Sequence, residues 1–272
     1  DENIEKESIQ YLKRSMDKGN VDAMAYLGIR IILDKKAQKQ EEGFSYIKKA
    51  MEKDSAVGYL GYGYAMSEGI CIPKDSKKSL QYFKIAADKG HIQGLHYYGV
   101  CLCSEEFGPV NFKEGHRYLK MSADKGLIES MYYYGSFGLN ITELQRKDPS
   151  EYLEYVKKAA DYGNPEAMNS YGLLLLEGDY LPINKEEGIK YLKMAIEKGN
   201  NMAIINLGCT YYEGSNQDKI EGYRILKMGS DKGDPGCMFL CSLKLFSGEG
   251  VPLDKSEALQ LMKKAADAGY LD

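Results

Sequence analysis

The chain has 272 residues, of which 43% are hydrophobic, and its formal net charge is −4. With 36 Lys plus Arg against 40 Asp plus Glu, the composition gives no strong field to attract nucleic acid or an anionic membrane. There is no apolar run of about 18 residues and no secretory leader pattern, so we expect a cytoplasmic protein without a membrane span.

One nine-residue phrase recurs eight times along the chain. The copies are YLKRSMDKG, YIKKAMEKD, YFKIAADKG, YLKMSADKG, YVKKAADYG, YLKMAIEKG, ILKMGSDKG and LMKKAADAG, and they end at residues 19, 54, 90, 126, 163, 199, 233 and 269. A spacing of 34 to 37 residues predicts a repeat array rather than a single closed globule. Function is therefore expected on a surface that several repeats build together.

The first predicted helix of each repeat follows the closing residue of the preceding phrase. It begins with helix-capping residues, such as Asn164 before Pro165, and contains a small residue five positions before a small anchor residue. The anchors are Gly28, Gly63, Gly99, Gly135, Gly172, Gly208 and Ser242. Small residues at these two positions predict that another helix crosses closely there.

The second predicted helix contains the repeated phrase. An Asn or Asp followed three residues later by an acidic residue predicts its N-terminus, and these capping positions are Asn111, Asp148, Asn184, Asp218 and Asp254. A glycine closes the helix, which predicts a left-handed residue just past the C-terminus. Asp54 replaces that glycine in one repeat, and the same conformation would cost it some strain.

The intervals define the predicted organisation of the chain. We expect a leading half repeat at 1–19, seven repeats at 20–54, 55–90, 91–126, 127–163, 164–199, 200–233 and 234–269, and the start of a further or capping unit at 270–272. Repeats 20–54 and 127–163 lack the Gly-x-Gly connector, so their turns are expected to differ in shape. Because solenoid ends normally carry polar caps, we also expect the chain to be part of a longer protein.

At these residues the chain resembles the Sel-one-like repeat (SLR) family, a relative of the tetratricopeptide repeats. The family pattern of Ala, Leu-Gly, Tyr, Gly-x-Gly-Val, Asp, Lys-Ala, Tyr, Ala-Ala and Gly is nearly matched by AMNSYGLLLLEGDYLPINKEEGIKYLKMAIEKG (167 to 199) and SGEGVPLDKSEALQLMKKAADAG (247 to 269). The resemblance implies an all-α fold, a right-handed α/α superhelix (solenoid) of about seven 36-residue helix-turn-helix repeats. It also implies a scaffold or adaptor role in a larger assembly.

Catalytic motifs are not found in the sequence, and we predict that the protein is not an enzyme and needs no cofactor. The chain has three histidines, with no HExxH, no phosphate-binding GxxxxGK[ST] and no GxSxG. A hydrolytic site using His96 and Cys103 is the enzymatic alternative, and it lacks a partner that would orient the base.

A metal site is not expected either. His96, Cys101 and Cys103 are close in sequence and Cys71 comes from the preceding connector, but Cys101 and Cys103 point to different sides of a predicted helix. The six cysteines do not recur at a repeat position, which favours free thiols. The tyrosines that open the phrase (Tyr11, Tyr46, Tyr82, Tyr118, Tyr155 and Tyr191) are predicted to be packing residues rather than a platform for nucleic-acid bases.

By analogy with tetratricopeptide arrays, the first helix of each repeat is expected to line a concave face. Three positions per repeat, at three before, one after and four after the anchor, contain no Asp, Glu, Lys or Arg. From these we select ten candidate partner-binding residues: Leu60, Tyr64, His96, Val100, Tyr132, Asn169, Leu173, Ile205, Phe239 and Leu243. Without Lys or Arg at these positions, capture of acidic chain termini through basic clamps is disfavoured.

Two interpretations of this apolar set remain. The side chains are either buried against neighbouring repeats or form an exposed trough for an amphipathic helix or an extended hydrophobic peptide. We therefore predict a scaffold that binds a protein or peptide partner and not nucleic acid. The alternative is a structural solenoid that stacks end to end within a larger assembly.

Overall fold

The computed structural model describes residues 2–34, 39–141 and 148–270. The chain divides into two compact units, Asp1–Tyr152 and Leu153–Asp272. Unit 1 contains α1 (Glu2–Asp17), α2 (Val21–Leu33), α3 (Gln40–Glu52), α4 (Ala56–Glu68), α5 (Ser76–Asp88), α6 (Ile92–Leu102), a 3₁₀ turn (Glu105–Phe107), α7 (Phe112–Asp124) and α8 (Ile128–Asn140). Helix α9 (Ser150–Asp161) crosses the boundary, and unit 2 continues with α10 (Pro165–Glu177), α11 (Lys185–Glu197), α12 (Asn201–Tyr212), α13 (Asn216–Asp231), α14 (Pro235–Ser247) and α15 (Lys255–Asp267).

Six of the predicted repeats are pairs of helices that pack on each other. The pairs are α2 with α3, α4 with α5 and α6 with α7 in unit 1, and α10 with α11, α12 with α13 and α14 with α15 in unit 2. Consecutive pairs also pack on each other, since α3 contacts α4 and α11 contacts α12. The described residues are helical with short connections and contain no β-strand.

Side-chain caps start most of the first helices. The side-chain oxygens of Asn20, Ser55, Asn164, Asn200 and Asp234 each accept a hydrogen bond from the backbone N–H three residues later. Such a bond satisfies one of the free N–H groups in the first helical turn. Helix α8 lacks such a cap, because Leu127 occupies its N-cap position and has no polar side chain.

The predicted closing residues adopt the left-handed conformation. Gly19, Gly90, Gly126, Gly163, Gly199, Gly233 and Gly269 have φ between +77° and +96°. Asp54 takes the same conformation at φ +62°, so a non-glycine residue keeps the geometry at this position at a cost in strain. The side chain of Asp54 forms a 2.6 Å ion pair with Lys89.

The predicted starts of the second helices are right with one exception. Asn111, Asn184 and Asp254 are N-caps, and the Asp148 carboxylate accepts the Ser150 N–H at 2.9 Å where α9 begins. The prediction for Asp218 is wrong, because α13 starts three residues earlier with Ser215 as its N-cap. Ser215 and Asp218 form a reciprocal capping box, which lets the helix extend into the short connector.

The small residues lie where helices approach each other closely. A Cβ on Gly94 would lie 2.8 Å from the carbonyl carbon of Ala86 in the preceding helix. At the anchor Gly99, a Cβ would lie 2.9 Å from the carbonyl oxygen of Gly115. Both contacts are to backbone atoms, so these positions accept nothing larger than glycine without moving a helix.

The core of each unit lies between its helix layers. In unit 1 one buried cluster includes Leu60, Phe83, Leu95, Tyr98 and Leu102. In unit 2 the corresponding cluster includes Ile204, Leu226, Cys237, Cys241 and Leu245. All six cysteines are free thiols, and no described helix is both long and apolar enough to cross a membrane.

The tyrosines of the repeated phrase are mostly packing residues, as predicted. Tyr118 and Tyr191 are buried, and Tyr46, Tyr82 and Tyr155 are half-buried. Tyr11 is exposed instead, and its helix α1 packs chiefly against the single neighbour α2. The predicted change of turn shape in repeats 20–54 and 127–163 falls largely at 35–38 and 142–147, which lie outside the described residues.

Candidate functional site

The first helices of successive repeats form a continuous side of each unit, which we call the first-helix face. It consists of α2, α4, α6 and α8 in unit 1, and of α10, α12 and α14 in unit 2. These helices contact their first-helix neighbours directly, α2 with α4, α4 with α6 and α6 with α8, and α10 with α12 and α12 with α14. Close first helices are expected of the inner side of a curved repeat array.

Most of the ten predicted residues are partly accessible on these faces. Tyr64, His96, Val100, Tyr132, Asn169, Leu173, Ile205 and Phe239 are half-buried, whereas Leu243 is 41% exposed. Leu60 departs from this pattern, since it is only 5% exposed and belongs to the core cluster with Phe83. Leu60 therefore fits the buried interpretation, while the other nine residues keep part of their surface accessible.

A groove crosses α2, α4 and α6 in unit 1. Its volume is about 220 Å³, and it is lined by Tyr26, Ile29, Leu33, Leu60, Gly61, Tyr64, Gln93 and Tyr97. The rings of Tyr64 and Tyr97 meet edge to face at 6.4 Å, and Phe83 stacks under Tyr97 at 5.4 Å. We call this feature the tyrosine groove.

Two of the groove residues, Leu60 and Tyr64, are among the ten selected from the sequence. Ile29 occupies one of the three inner-face positions but was not selected, and the other five lining residues were missed. A signal was available, because Tyr26 and Tyr97 both occupy the position two before the anchor of their repeats. Between them, the same position in the next repeat is Gly61. A Cβ there would lie 2.8 Å from Ile29 Cγ1, so glycine lets the groove form between the two tyrosines.

Carboxylates stand beside the tyrosines of this groove. Asp22 is one helical turn before Tyr26 on α2, and Glu68 is one turn after Tyr64 on α4, at the i,i+4 spacing that makes side chains neighbours. Both carboxylates are on exposed residues. Burial raises the pKa of Tyr26 and of Tyr64, and Asp22 and Glu68 respectively raise it further.

The His96 ring is positioned by a chain of hydrogen bonds through two serine hydroxyl groups. Ser122 Oγ donates to the Ile92 carbonyl at 3.0 Å, Ser130 Oγ donates to Ser122 Oγ at 2.8 Å, and His96 Nδ1 lies 2.8 Å from Ser130 Oγ. With both hydroxyl protons used in this way, Nδ1–H is the donor to Ser130. Burial lowers the pKa of His96, so the ring is neutral at pH 7 and ties α6, α7 and α8 together.

The geometry does not assemble the hydrolytic alternative. His96 and Cys103 are seven residues apart, about 10 Å along α6, and Nδ1 of His96 is engaged by Ser130. Burial raises the pKa of Cys103 to about 11, so its thiol stays protonated and weakly nucleophilic at neutral pH. In the residues that the structure describes, no three His, Cys, Asp or Glu side chains converge on a point that could hold a metal ion.

The first-helix face of unit 2 has a different surface. A groove of about 310 Å³ includes Leu173, Asn206 and Cys209 in its lining, and Asn206 Nδ2 donates to Asn169 Oδ1 at 2.8 Å. Further along the unit, Tyr270 packs on Phe239 with ring centroids 5.6 Å apart. Among the five predicted residues of this unit, Leu173 therefore lines a groove and Phe239 is partly covered.

His91 is a pH-sensitive cap beside the tyrosine groove. Its Nδ1 accepts the Gly94 N–H at 3.3 Å, and its Nε2 lies 3.2 Å from the hydroxyl of Tyr26. Because Nδ1 is the acceptor, the neutral ring carries its proton on Nε2. Protonation would place a second N–H against Gly94 and a positive charge at the helix N-terminus, both of which are unfavourable.

We expect low pH to weaken this cap. Burial lowers the pKa of His91 below its ordinary value, against a smaller opposing effect of Asp22. The unfolded chain therefore binds a proton at higher pH than the folded chain does, and stability falls as the pH drops below about 6.5. His91→Asn should retain the cap and show less of this loss, as measured by urea unfolding between pH 7.5 and pH 5.

The control for the cap is His91→Ala. It should be less stable than His91→Asn by about 1 kcal/mol at pH 7.5, because alanine cannot accept the Gly94 hydrogen bond. An identical pH dependence in the wild type and in His91→Asn would contradict a cap based on the neutral ring.

Comparisons with known proteins recognise repeats in five segments of the chain. The Sel1 repeat family model matches residues 56–91, 92–127, 165–200, 201–234 and 235–270. The two predicted repeats without a match, 20–54 and 127–163, are those whose connectors contain no glycine. No curated protein sequence matches the chain.

Solved structures share the fold at low sequence identity. The protective antigen c5321 of uropathogenic Escherichia coli, which displays an SLR fold, is 21% identical with a TM-score of 0.77 over 96% of this chain. This chain spans 56% of that antigen's length. A Sel1 repeat protein from Oxalobacter formigenes is 18% identical with a TM-score of 0.75, covering 89% of this chain and 96% of its own.

A third structure, the immunity protein Pa5087 of Pseudomonas aeruginosa, is 18% identical with a TM-score of 0.52 and covers 79% of this chain and 83% of its own. Identities this low show the fold alone, and they confirm the predicted all-α solenoid. The family assignment comes from the five matched segments, which cover more than half of the sequence. The chain therefore belongs to the Sel1 repeat family.

Proposed function

We propose that the chain is a non-catalytic scaffold that binds a segment of another protein on its first-helix face. Sel1 repeat proteins are generally interaction scaffolds, and the tyrosine groove is the observation that carries the proposal for this chain. Part of its aromatic and aliphatic lining is accessible, with Tyr26 38% and Leu33 49% exposed. Tyrosine is enriched at protein interfaces because its ring is apolar and its hydroxyl can form hydrogen bonds.

The shape of the groove favours an extended segment over a folded domain. Its volume of about 220 Å³ corresponds to roughly seven water molecules at about 30 Å³ each. That space accepts one or two side chains of a peptide, while the flanking peptide residues lie along α2, α4 and α6. Apolar and aromatic anchors in pockets of this kind account for most of the binding energy of many interfaces.

A pair of matched substitutions tests this function. A random nonapeptide display library is selected on the wild-type protein, and the selected peptides are measured against Leu33→Glu and Met121→Glu. Leu33 lies in the groove and Met121 on α7, and they are 49% and 42% exposed, so the same charge enters two similarly exposed apolar sites. We expect Leu33→Glu to weaken binding at least tenfold and Met121→Glu to leave it within about twofold.

Circular dichroism should show that both variants are folded. Equal binding by the two variants, or a selection that yields no binding peptide, would refute recognition in the groove. The end-to-end stacking alternative predicts concentration-dependent self-association instead. Sedimentation velocity would detect that association, and a scaffold that binds peptides without stacking should sediment at a constant rate over the concentration range.

A further inference from the structure

We propose that the tyrosine groove selects a segment that inserts a lysine or arginine side chain. This inference rests on the proposed function and adds the chemistry of the partner. Three features support it: the aromatic lining, the carboxylates beside it, and the absence of salt bridges to those carboxylates within the described residues.

The lining suits a cationic side chain with an apolar stem. Tyr26, Tyr64 and Tyr97 come from three successive first helices and surround one groove. A guanidinium or ammonium group over a tyrosine ring is attracted by the negative face of the ring. The methylene groups of lysine or arginine would meanwhile pack on Ile29 and Leu33, which line the same groove.

The carboxylates are placed to pair with that charge. Asp22 is at the start of α2 and Glu68 at the end of α4, so an acidic group lies one helical turn from Tyr26 and another from Tyr64. The Ser55 hydroxyl donates to the Asp22 carboxylate at 2.6 Å, which orients the carboxylate and leaves its charge in place. Glu129, on α8, adds a third negative charge near Tyr97.

Within the described residues Asp22 and Glu68 form no salt bridge, and the charge that acts on Glu68 from Lys74 does so without a direct contact. Elsewhere in unit 1, Asp54 pairs with Lys89 at 2.6 Å and Glu106 pairs with Lys74 at 2.9 Å. A lysine or arginine inserted in the groove would bring a positive charge to the side where these exposed carboxylates lie, and the attraction between opposite charges would favour it.

The electrostatic environment of the tyrosines agrees with this arrangement. Burial is the main cause of the raised pKa of Tyr97, and Glu129 and Glu68 raise it further. The charged groups that act on Tyr26, Tyr64 and Tyr97 are Asp22, Glu68 and Glu129, and all are anionic. Arg30, the basic residue in the last turn of α2, is not among the side chains that line the groove.

The test uses fluorescein-labelled nonapeptide pools that differ only at the central residue. The centre is arginine, lysine, citrulline, leucine or glutamate, and all other positions are randomised. Citrulline has the shape and hydrogen-bonding groups of arginine without its charge, so it isolates the electrostatic contribution. By fluorescence anisotropy, we expect the arginine pool to bind the wild-type protein about tenfold more tightly than the citrulline pool, and the glutamate pool to bind most weakly.

Two double variants then locate the preference. Asp22→Asn with Glu68→Gln removes both groove carboxylates at nearly constant shape. Asp17→Asn with Glu52→Gln removes the same net charge from exposed positions on α1 and α3. The preference for arginine over citrulline should fall to about twofold or less in the groove variant and stay near tenfold in the control.

Each other outcome overturns the inference in a recognisable way. If all pools bind equally and Leu33→Glu abolishes their binding, the groove binds peptides without selecting cations, and the scaffold function stands. If both double variants lose the preference equally, the preference reflects net charge rather than the groove. If no pool binds, the inference and the proposed function both fail.

Discussion

Replacing Gly94 by valine is expected to destabilise unit 1 by about 3 kcal/mol or more. A Cβ at this position would lie 2.8 Å from the carbonyl carbon and the Cβ of Ala86, and 2.9 Å from the amide nitrogen of Ala87. Two of these three atoms belong to the backbone of the preceding helix, so no side-chain rotation relieves the contact. Urea unfolding followed by the helical circular dichroism signal would measure the loss.

The matched control is Gln93→Val, one residue earlier on α6. Gln93 is exposed, so this substitution introduces the same branched side chain into the same helix without a backbone contact. We expect a change within about 0.5 kcal/mol. Similar losses in both variants would mean that helix propensity, and not the close approach of α5 and α6, sets the requirement for glycine.

Replacing Leu192 by alanine is expected to destabilise unit 2 by about 3 kcal/mol. Leu192 on α11 is fully buried, and its side chain would lie within 3.1 Å of a Cβ placed on the anchor Gly172. Truncation leaves a cavity where α10 and α11 pack against each other, because the anchor has no side chain that could fill it. The loss would appear as a lower urea midpoint at an unchanged slope.

Leu259→Ala is the control, since it makes the same chemical change on α15 at a residue that is 60% exposed. Its free energy of unfolding should differ from that of the wild type by no more than about 0.5 kcal/mol. Equal effects of the two substitutions would refute the assignment of Leu192 to a packed core.

The helices were predictable because their signals are local. Asn184 and Asp254 cap the helices that follow them, and glycines such as Gly199 close the helices with positive φ. Each feature depends on a few adjacent residues, and the repetition of the phrase supplies several independent copies. The error at Asp218 is also local, because Ser215 begins a competing capping box three residues earlier.

The candidate site was predictable only in outline. The sequence identified the first helices as the carriers of the face and included Tyr64, but it also included Leu60, which is core. It passed over Tyr26 and Tyr97 because they lie two residues before the anchor, on a side of the helix that the chosen three positions did not sample. Which side of the helix is accessible depends on the angle at which α2, α4 and α6 pack. Neither the repeat length nor the spacing of apolar residues specifies that angle.

The sequence by itself determined the all-α class, the repeat length, most helix ends and the family, since these follow from short-range capping, glycine geometry and periodicity. Only the tertiary structure decided that Gly61 leaves space between Tyr26 and Tyr97. It also decided that Asp22 and Glu68 lie beside the tyrosines without a salt bridge to any described residue. The physical reason is that accessibility and charge pairing depend on side chains contributed by neighbouring repeats. Residues equivalent in the repeat pattern therefore meet different surroundings once the helices pack.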